Sequence, residues 1–119
     1  HTVAAAECMV LGIKAGLDPK LIHEVLPKGA GGSTMLQIRG EYMANSDYRY
    51  EEGTIFNVFQ KDCSIISEYA ASMRSPIHLF AAARQTFNSA IALGLDHHEL
   101  AAVCKAVEVA AGVDREMAE

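Results

Sequence analysis

The sequence predicts an all-α fold, a compact bundle of five or six helices that forms one domain over residues 1–119. Apolar residues recur at three- and four-residue spacing in most segments, which is the periodicity of amphipathic helices. Glycine and proline stand where helices would stop and restart. No segment alternates apolar and polar residues between hairpin turns, as strands would. Half of the residues are hydrophobic, which is enough for a substantial core.

The first two helices are separated by a clear stop-and-start signal. Between Thr2 and Ala15 only Glu7 and Lys14 are charged, and their separation of seven places them on one face. Neighbours should therefore bury this helix on most sides, and any side left uncovered would be a large apolar patch. A glycine at 16 is expected to end the helix in a left-handed turn. Asp18 is expected to cap the next one, with a proline in its first turn.

The middle of the chain is predicted to contain a loop, a short helix and a long helix. The glycine-rich stretch from Pro27 to Thr34 predicts the loop, and "TMLQIRGEYMA" predicts the short helix. A polar connector, "NSDYRYEEGT", leads to the long helix, expected from about Ile55 to Met73. Its inward stripe is expected to contain Ile55, Phe59, Cys63, Ile66, Ala70 and Met73.

Two further helices complete the predicted bundle. The first should run from about Ile77 to Leu93 and be capped by Ser75. Asp96 and Glu99 are expected to form a capping box for the last helix. Gly112 should end that helix, which leaves "VDREMAE" as a frayed tail. The inward stripe of the first of these helices is expected to contain Leu79, Ala83, Phe87 and Ile91.

Composition excludes several classes of protein. The net charge is −5 and the ten basic residues are scattered, which argues against nucleic acid or an anionic membrane as partner. No run approaches the roughly 20 apolar residues of a membrane helix. The N-terminus has neither an initiator Met nor a basic leader, so no signal peptide is predicted. The chain is expected to begin inside a larger polypeptide.

Cysteine and histidine usage predicts neither a disulfide framework nor a metal site. Cys8, Cys63 and Cys104 are odd in number, far apart and without a C-x-x-C pair, which favours a reduced cytoplasm. Apolar neighbours suggest that each is a core residue. His97 and His98 are adjacent, so on a helix they point about 100° apart and cannot chelate one ion from one face.

Two polar features are candidates for ligand contact. In "KGAGGST", consecutive glycines expose backbone N–H groups and Ser33 adds a hydroxyl, so the stretch is either a plain turn or a contact for a small carboxylate. Lys61 lies two residues after Phe59 and therefore about 200° around the helix from the inward stripe. It faces either water or, in a larger protein, a carboxylate, phosphate or carboxamide oxygen of another domain. Asp62 beside it could hold the ammonium group.

Several stretches resemble one family over essentially the whole chain. "AAAECMVLGIKAGLDPKLIHEVL", the Gly/Ser loop, "FQKDCSIISEYA", "SPIHLFAAARQTF" and "GLDHHELAAVCKAVE" resemble, in this order, the C-terminal domain of β-hydroxyacid dehydrogenases. This family includes 3-hydroxyisobutyrate dehydrogenase, tartronate semialdehyde reductase and threonate dehydrogenase. The resemblance implies an oxidoreductase whose helical domain is like the C-terminal domain of 6-phosphogluconate dehydrogenase. That domain follows an N-terminal Rossmann domain that binds NAD or NADP, and it makes much of a homodimer interface.

The resemblance also implies roles for particular residues. Lys61, supported by Asp62, would reach the cofactor or substrate across the interdomain cleft. Several relatives have an aromatic residue near the nicotinamide where this chain has Thr54, and nearby Phe56 is the candidate to replace it. The residues that would border the substrate pocket are Gly31, Gly32 and Ser33.

Catalytic residues are not expected within this chain. The family's catalytic lysine and asparagine lie in a G-x-x-x-K-x-x-N motif that would fall before His1, as would the nucleotide-binding loop. The fragment is therefore expected to be inactive alone, as part of an NAD(P)-dependent dehydrogenase of a small β-hydroxyacid. A non-catalytic dimerisation or binding module with the same fold is the alternative. The choice between NAD and NADP, and the identity of the β-hydroxyacid, stay open.

Overall fold

A computed structural model describes residues 1–50 and 55–118, apart from the side chains of Ile55 and Phe56. Its helices are Thr2–Lys14 (α1), Pro19–Val25 (α2), Thr34–Asn45 (α3), Ile55–Ser72 (α4), His78–Ala92 (α5) and Val103–Ala111 (α6), with 3-10 turns at Leu26–Lys28 and Leu100–Ala102. The described ranges contain no β-strand, only an isolated bridge between Tyr50 and His98. The predicted all-α fold is confirmed. None of the described helices is long and apolar enough to cross a membrane.

The core forms around α1. This helix packs against α2, α3 and α6, and α5 packs against α6. Met9 of α1, Met43 of α3, and Val103 and Cys104 of α6 are fully buried in this core. Each large apolar side chain buried in this way contributes roughly 1.5–3 kcal/mol of hydrophobic stabilisation.

The predicted end of α1, start of α2 and end of α6 are confirmed. Gly16 follows α1 with a φ of +88°, a conformation that L side chains rarely adopt. The Asp18 carboxylate accepts a hydrogen bond from the Lys20 N–H at 2.9 Å, which satisfies one of the free donors at the start of α2. Gly112 ends α6 with a φ of +65°.

The predicted inward stripes of α4 and α5 are only partly correct. Phe87 and Cys63 are buried as expected, but Leu79 is 89% exposed, and Ile66 and Met73 are exposed as well. Leu79 lies in the first turn of α5, on the predicted inward side of that helix. It lines an open cavity there, so no neighbouring residue covers its side chain.

Two predicted caps are wrong. The Ser75 N–H bonds to the Ala70 carbonyl in the turn that follows α4, and α5 begins at His78 without a side-chain cap. Glu99 Oε2 accepts the Ala101 N–H at 2.5 Å and so caps the Leu100–Ala102 turn by itself, without a capping box. Glu99 Oε1 is 3.1 Å from Arg39 Nε, so both carboxylate oxygens have protein partners.

The C-terminal segment is docked and not frayed, contrary to the prediction. Arg115 donates to the carbonyl oxygens of Met43 and Ala44 at 2.8 and 3.2 Å, and its Nε donates to Glu108 at 2.9 Å. The Ala118 N–H bonds back to the turn after α3. Arg115 therefore ties the tail to α6 and to two carbonyl groups in the last turn of α3. One of them, the Met43 carbonyl, also accepts the Ser46 N–H at 3.3 Å.

The three cysteines are free thiols. Cys63 and Cys104 are buried as predicted, whereas Cys8 is exposed, which corrects its assignment to the core. Burial raises the pKa of the Cys104 thiol to about 11 and also raises the pKa of Cys63. Both thiols are therefore protonated at neutral pH, which suits packing and not nucleophilic chemistry.

Candidate functional site

The glycine-rich loop precedes α3, and its two predicted site glycines have different surroundings. A Cβ atom on Gly32 would lie 2.3 Å from the Pro27 carbonyl oxygen, closer than real Cβ contacts allow. A Cβ atom on Gly31 would meet nothing within 4 Å. Gly32 is therefore required by the turn itself, whereas the exposed Gly31 leaves room for a molecule beside it.

Ser33 is the N-cap of α3. Its Oγ accepts the Leu36 N–H at 3.0 Å, which satisfies one of the free donors of the first turn. The hydroxyl proton is left to donate elsewhere, because a serine hydroxyl carries one donor in addition to its acceptor sites. The structural role and a ligand contact are thus compatible at this residue.

Lys61 lies on the exposed face of α4, as its phase predicts. Its side chain is 66% exposed, while Cys63 is buried and Phe59 packs against Phe87 with ring centroids 4.7 Å apart. Lys61 Nζ is 3.5 Å from Asp62 Oδ1. An exposed ion pair of this kind contributes little to stability, so the ammonium group can exchange Asp62 for another anion or carbonyl oxygen.

The aromatic position near Lys61 lies outside the described residues. Thr54 belongs to the range 51–54, and α4 includes the backbone of Phe56 but not a described side chain. The role predicted for Phe56 therefore stays a prediction.

A cavity of about 560 Å³ is bounded by α3, α4, α5 and the first residues of α1. Arg84 links α5 to α4 at its wall, donating to Ser64 Oγ at 2.8 Å and Ser67 Oγ at 3.1 Å. The lining residues are His1, Thr2, Val3, Met35, Arg39, Phe59, Cys63, Leu79, Phe80, Ala83, Arg84, Phe87 and Leu100. The sequence analysis did not predict this cavity. The signal for it was the charged residue Arg84, which directly follows Ala83 on the predicted inward stripe.

A second, more apolar groove of about 490 Å³ runs between α1 and α2. It is lined by Cys8, Leu11, Gly12, Ala15, Leu17, Leu21, Ile22, Val25 and Leu26. Leu11 is 72% exposed. A Cβ atom on Gly12 would lie 2.5 Å from Ile22 Cδ1, so the glycine lets α1 and α2 approach closely.

The predicted site residues occupy two separate elements. Lys61 and Asp62 lie on α4, and Gly31, Gly32 and Ser33 precede α3; in the described part of the chain, none of them lines the two cavities above. Within residues 1–50 and 55–118, no group of three or more His, Cys, Asp or Glu side chains could hold a metal ion.

Comparison with protein families gives a match over most of the chain. The family model described as "NAD-binding of NADP-dependent 3-hydroxyisobutyrate dehydrogenase" matches residues 1–107. That range contains every predicted site residue, from the glycine-rich loop to the Lys-Asp pair.

Individual relatives agree with this match. The chain is 33% identical over 105 residues to L-threonate dehydrogenase of Cupriavidus necator, covering 88% of this chain and 35% of that protein. It is 30% identical over 114 residues to 2-(hydroxymethyl)glutarate dehydrogenase of Eubacterium barkeri, covering 95% and 37%. A crystal structure of 3-hydroxyisobutyrate dehydrogenase from Salmonella typhimurium matches with a TM-score of 0.79 at 30% identity, covering 88% and 36%. The chain thus spans little more than a third of the length of these relatives.

Proposed function

Because the chain belongs to the β-hydroxyacid dehydrogenase family, by its match to the family model for NAD-binding of NADP-dependent 3-hydroxyisobutyrate dehydrogenase, we propose that it is the C-terminal helical domain of such an enzyme. The enzyme would oxidise a small β-hydroxyacid with NAD or NADP. The observation that carries the proposal is the family match over residues 1–107, together with the exposed lysine within it. Relatives about two and a half times as long support a second, nucleotide-binding domain in the complete protein.

The roles proposed for this domain and for the rest of the enzyme follow from the polar groups on this chain. Lys61 and Ser33 supply a cation and a hydroxyl donor, which bind and orient a ligand. A general acid/base lysine and its asparagine are proposed to lie on a segment before His1, next to a Rossmann domain. The 119-residue chain alone would then lack the groups that transfer the proton, and it would not turn substrate over.

The residues present fit the outer edge of a dinucleotide. The exposed Lys61 ammonium can donate to a phosphate or carboxamide oxygen. That contact would replace its present ion pair with Asp62, 3.5 Å away. Phe56, which precedes Lys61 on α4, is proposed to pack beside the nicotinamide. When bound, the nicotinamide supplies the acceptor for the hydride that leaves the hydroxyl-bearing carbon of the substrate.

The substrate carboxylate is proposed to lie against the glycine-rich loop. The Ser33 hydroxyl has a proton to donate after it has accepted the Leu36 N–H. Gly31 is exposed and has open space where a side chain would stand, so a small acid can approach its backbone. Gly32 contributes by holding the turn that brings these two groups next to each other.

The assembly and the compartment are part of the proposal. The complete enzyme is proposed to be a homodimer in which this domain makes much of the interface. The three free thiols suit a reducing compartment, and we place the protein in the cytoplasm on that basis.

Titration of the purified 119-residue chain with NADH and NADPH, followed by calorimetry, tests the division of labour. We expect no tight binding, because most contacts to the dinucleotide would come from the second domain. Tight binding by this chain alone would contradict the proposal and would place the nucleotide site on the helical domain. A complete protein that lacks a nucleotide-binding domain would favour the alternative of a non-catalytic binding module.

Replacing Lys61 by alanine in the complete enzyme tests whether this lysine contacts the cofactor or substrate in the interdomain cleft. Loss of a charge-assisted hydrogen bond costs about 1.5–3 kcal/mol, so kcat/KM should fall about 10- to 100-fold. The fold should be unaffected, because the side chain is 66% exposed. Lys20→Ala is the matched control, since Lys20 is also exposed and its backbone N–H keeps the bond to Asp18. Steady-state kinetics that Lys61→Ala leaves unchanged would refute the role.

A further inference from the structure

We propose that the apolar groove between α1 and α2 is the surface on which a second copy of this chain docks, with the two α1 helices antiparallel about a two-fold axis. This deepens the homodimer proposed above and rests on it. The groove is lined by apolar side chains and Gly12, and several of its leucines are exposed in the single chain. Contiguous exposed apolar surface of this kind is typical of interaction sites.

The outward face of α1 has the spacing of a helix-pairing seam. Ala4, Cys8, Leu11 and Ala15 are all exposed, and they follow one another at intervals of four, three and four residues. This is the spacing of the two apolar positions in a heptad repeat, which lets one helix pack along another. Leu21 of α2, also exposed, widens the seam on the groove side.

In the register that this seam requires, the charged residues of α1 lie opposite residues of opposite charge on the second copy. An antiparallel pair that sets Cys8 against Leu11 of the second copy also sets Ala4 against Ala15. In the same register, the flanking Glu7 faces Lys14 of the second copy, and Lys14 faces Glu7. Two opposite-charge pairs therefore form at once across the two-fold axis.

Both charged groups are available for this pairing. Within the described residues, the Glu7 carboxylate forms no hydrogen bond or ion pair. Lys14 Nζ donates to the Ala111 carbonyl at 2.5 Å, and an ammonium group retains two further donors. Self-complementarity is the condition for an isologous two-fold interface, because each residue pair must occur twice. A different partner would not require Glu7 and Lys14 to match each other, so the pattern favours a second copy.

Leu11→Glu, with Ile38→Glu as control, tests the surface. Each variant replaces one exposed apolar side chain by a charge, on α1 and on α3 respectively. Light scattering of the 119-residue chain should give a dimer for the parent and for Ile38→Glu. Leu11→Glu should weaken dimerisation at least about tenfold, since its carboxylate would enter the seam and lose its hydration. Circular dichroism checks that both variants are folded.

A charge exchange tests the register. Glu7→Lys alone and Lys14→Glu alone should each weaken the dimer several-fold, because like charges would then face each other. Mixing the two variants should restore it as a heterodimer, in which lysines of one chain face glutamates of the other. Glu7→Lys is the cleaner single change, because Lys14→Glu also removes the bond to Ala111.

The outcomes separate the surface from the rest of the proposed function. A monomeric parent would overturn this docking surface, and the homodimer proposed for the complete enzyme would then need another interface. A dimeric parent that Leu11→Glu leaves intact would overturn the surface alone and place the interface elsewhere. A mixture that forms no heterodimer would overturn the antiparallel register. None of these results depends on cofactor binding or turnover, which the Lys61→Ala kinetics measure separately.

Discussion

Arg115→Met is expected to destabilise the chain by about 3–5 kcal/mol, because it removes one partner of a buried ion pair. The Glu108 carboxylate is 0% exposed, and Arg115 donates to its Oε1. Only Lys105, 3.3 Å from Oε2, would remain within the described residues to compensate the buried charge. The same substitution removes the hydrogen bonds from Arg115 to the end of α3. Urea-induced unfolding of the 119-residue chain measures the loss.

Two further variants show whether the buried charge is the cause. Lys28→Met removes an exposed partner, 3.6 Å from Glu24, and should change stability by less than about 1 kcal/mol. A double variant, Glu108→Leu with Arg115→Met, should be more stable than Arg115→Met alone, because no buried carboxylate is left unpaired. An Arg115→Met protein as stable as Lys28→Met would show that the buried ion pair contributes nothing. Limited proteolysis of residues 113–118 would report release of the tail.

Local signals in the sequence are sufficient for the helix boundaries that depend on local chemistry. Asp18 caps α2 through its own carboxylate, and Gly16 and Gly112 adopt positive φ values that the chain needs to leave a helix. Each of these features involves residues within about four positions of one another, so no knowledge of the fold is required. The all-α architecture follows from the same kind of signal repeated along the chain.

Burial depends on neighbours that periodicity does not reveal. Phe87, Ala83 and Leu79 lie on one stripe of α5, but exposure rises from the buried Phe87 to the 89% exposed Leu79. The predicted stripe lies on the correct side of the helix, since all three residues line one cavity, but neighbouring residues cover only Phe87 completely. The tail shows the same limit, because Arg115 reaches Met43, which is far away in the sequence.

The candidate site can be predicted from the sequence in part. The exposure of Lys61 follows from its angle to Phe59, and the structure agrees. Its ligand cannot be derived from this chain, since the position faces away from the chain's own core. The sequence predicts Ser33 as a polar contact, but its role as the cap of α3 depends on the backbone path of the loop. Nor does the sequence distinguish the crowded Gly32 from the open Gly31.

Gly32→Ala is expected to destabilise the chain by about 1–3 kcal/mol, the usual cost of forcing extra atoms into an occupied space. Its Cβ would lie 2.3 Å from the Pro27 carbonyl oxygen and 3.1 Å from the Gly29 carbonyl oxygen. Both contacts are to backbone atoms, so the loop itself must shift and cannot adapt by rotating a side chain. Thermal unfolding of the 119-residue chain measures the cost.

Gly31→Ala is the matched control, one residue away in the same loop. Its Cβ meets nothing within 4 Å, so its unfolding free energy should change by less than about 1 kcal/mol. In the complete enzyme, Gly32→Ala should also raise KM for the β-hydroxyacid, because Ser33 follows it directly and would move with the loop. If the two variants unfolded alike, the crowding at Gly32 would not constrain the loop. If Gly32→Ala lost stability but kept its KM, the loop would be a turn without a substrate contact, because a bound carboxylate would sense the displacement of Ser33.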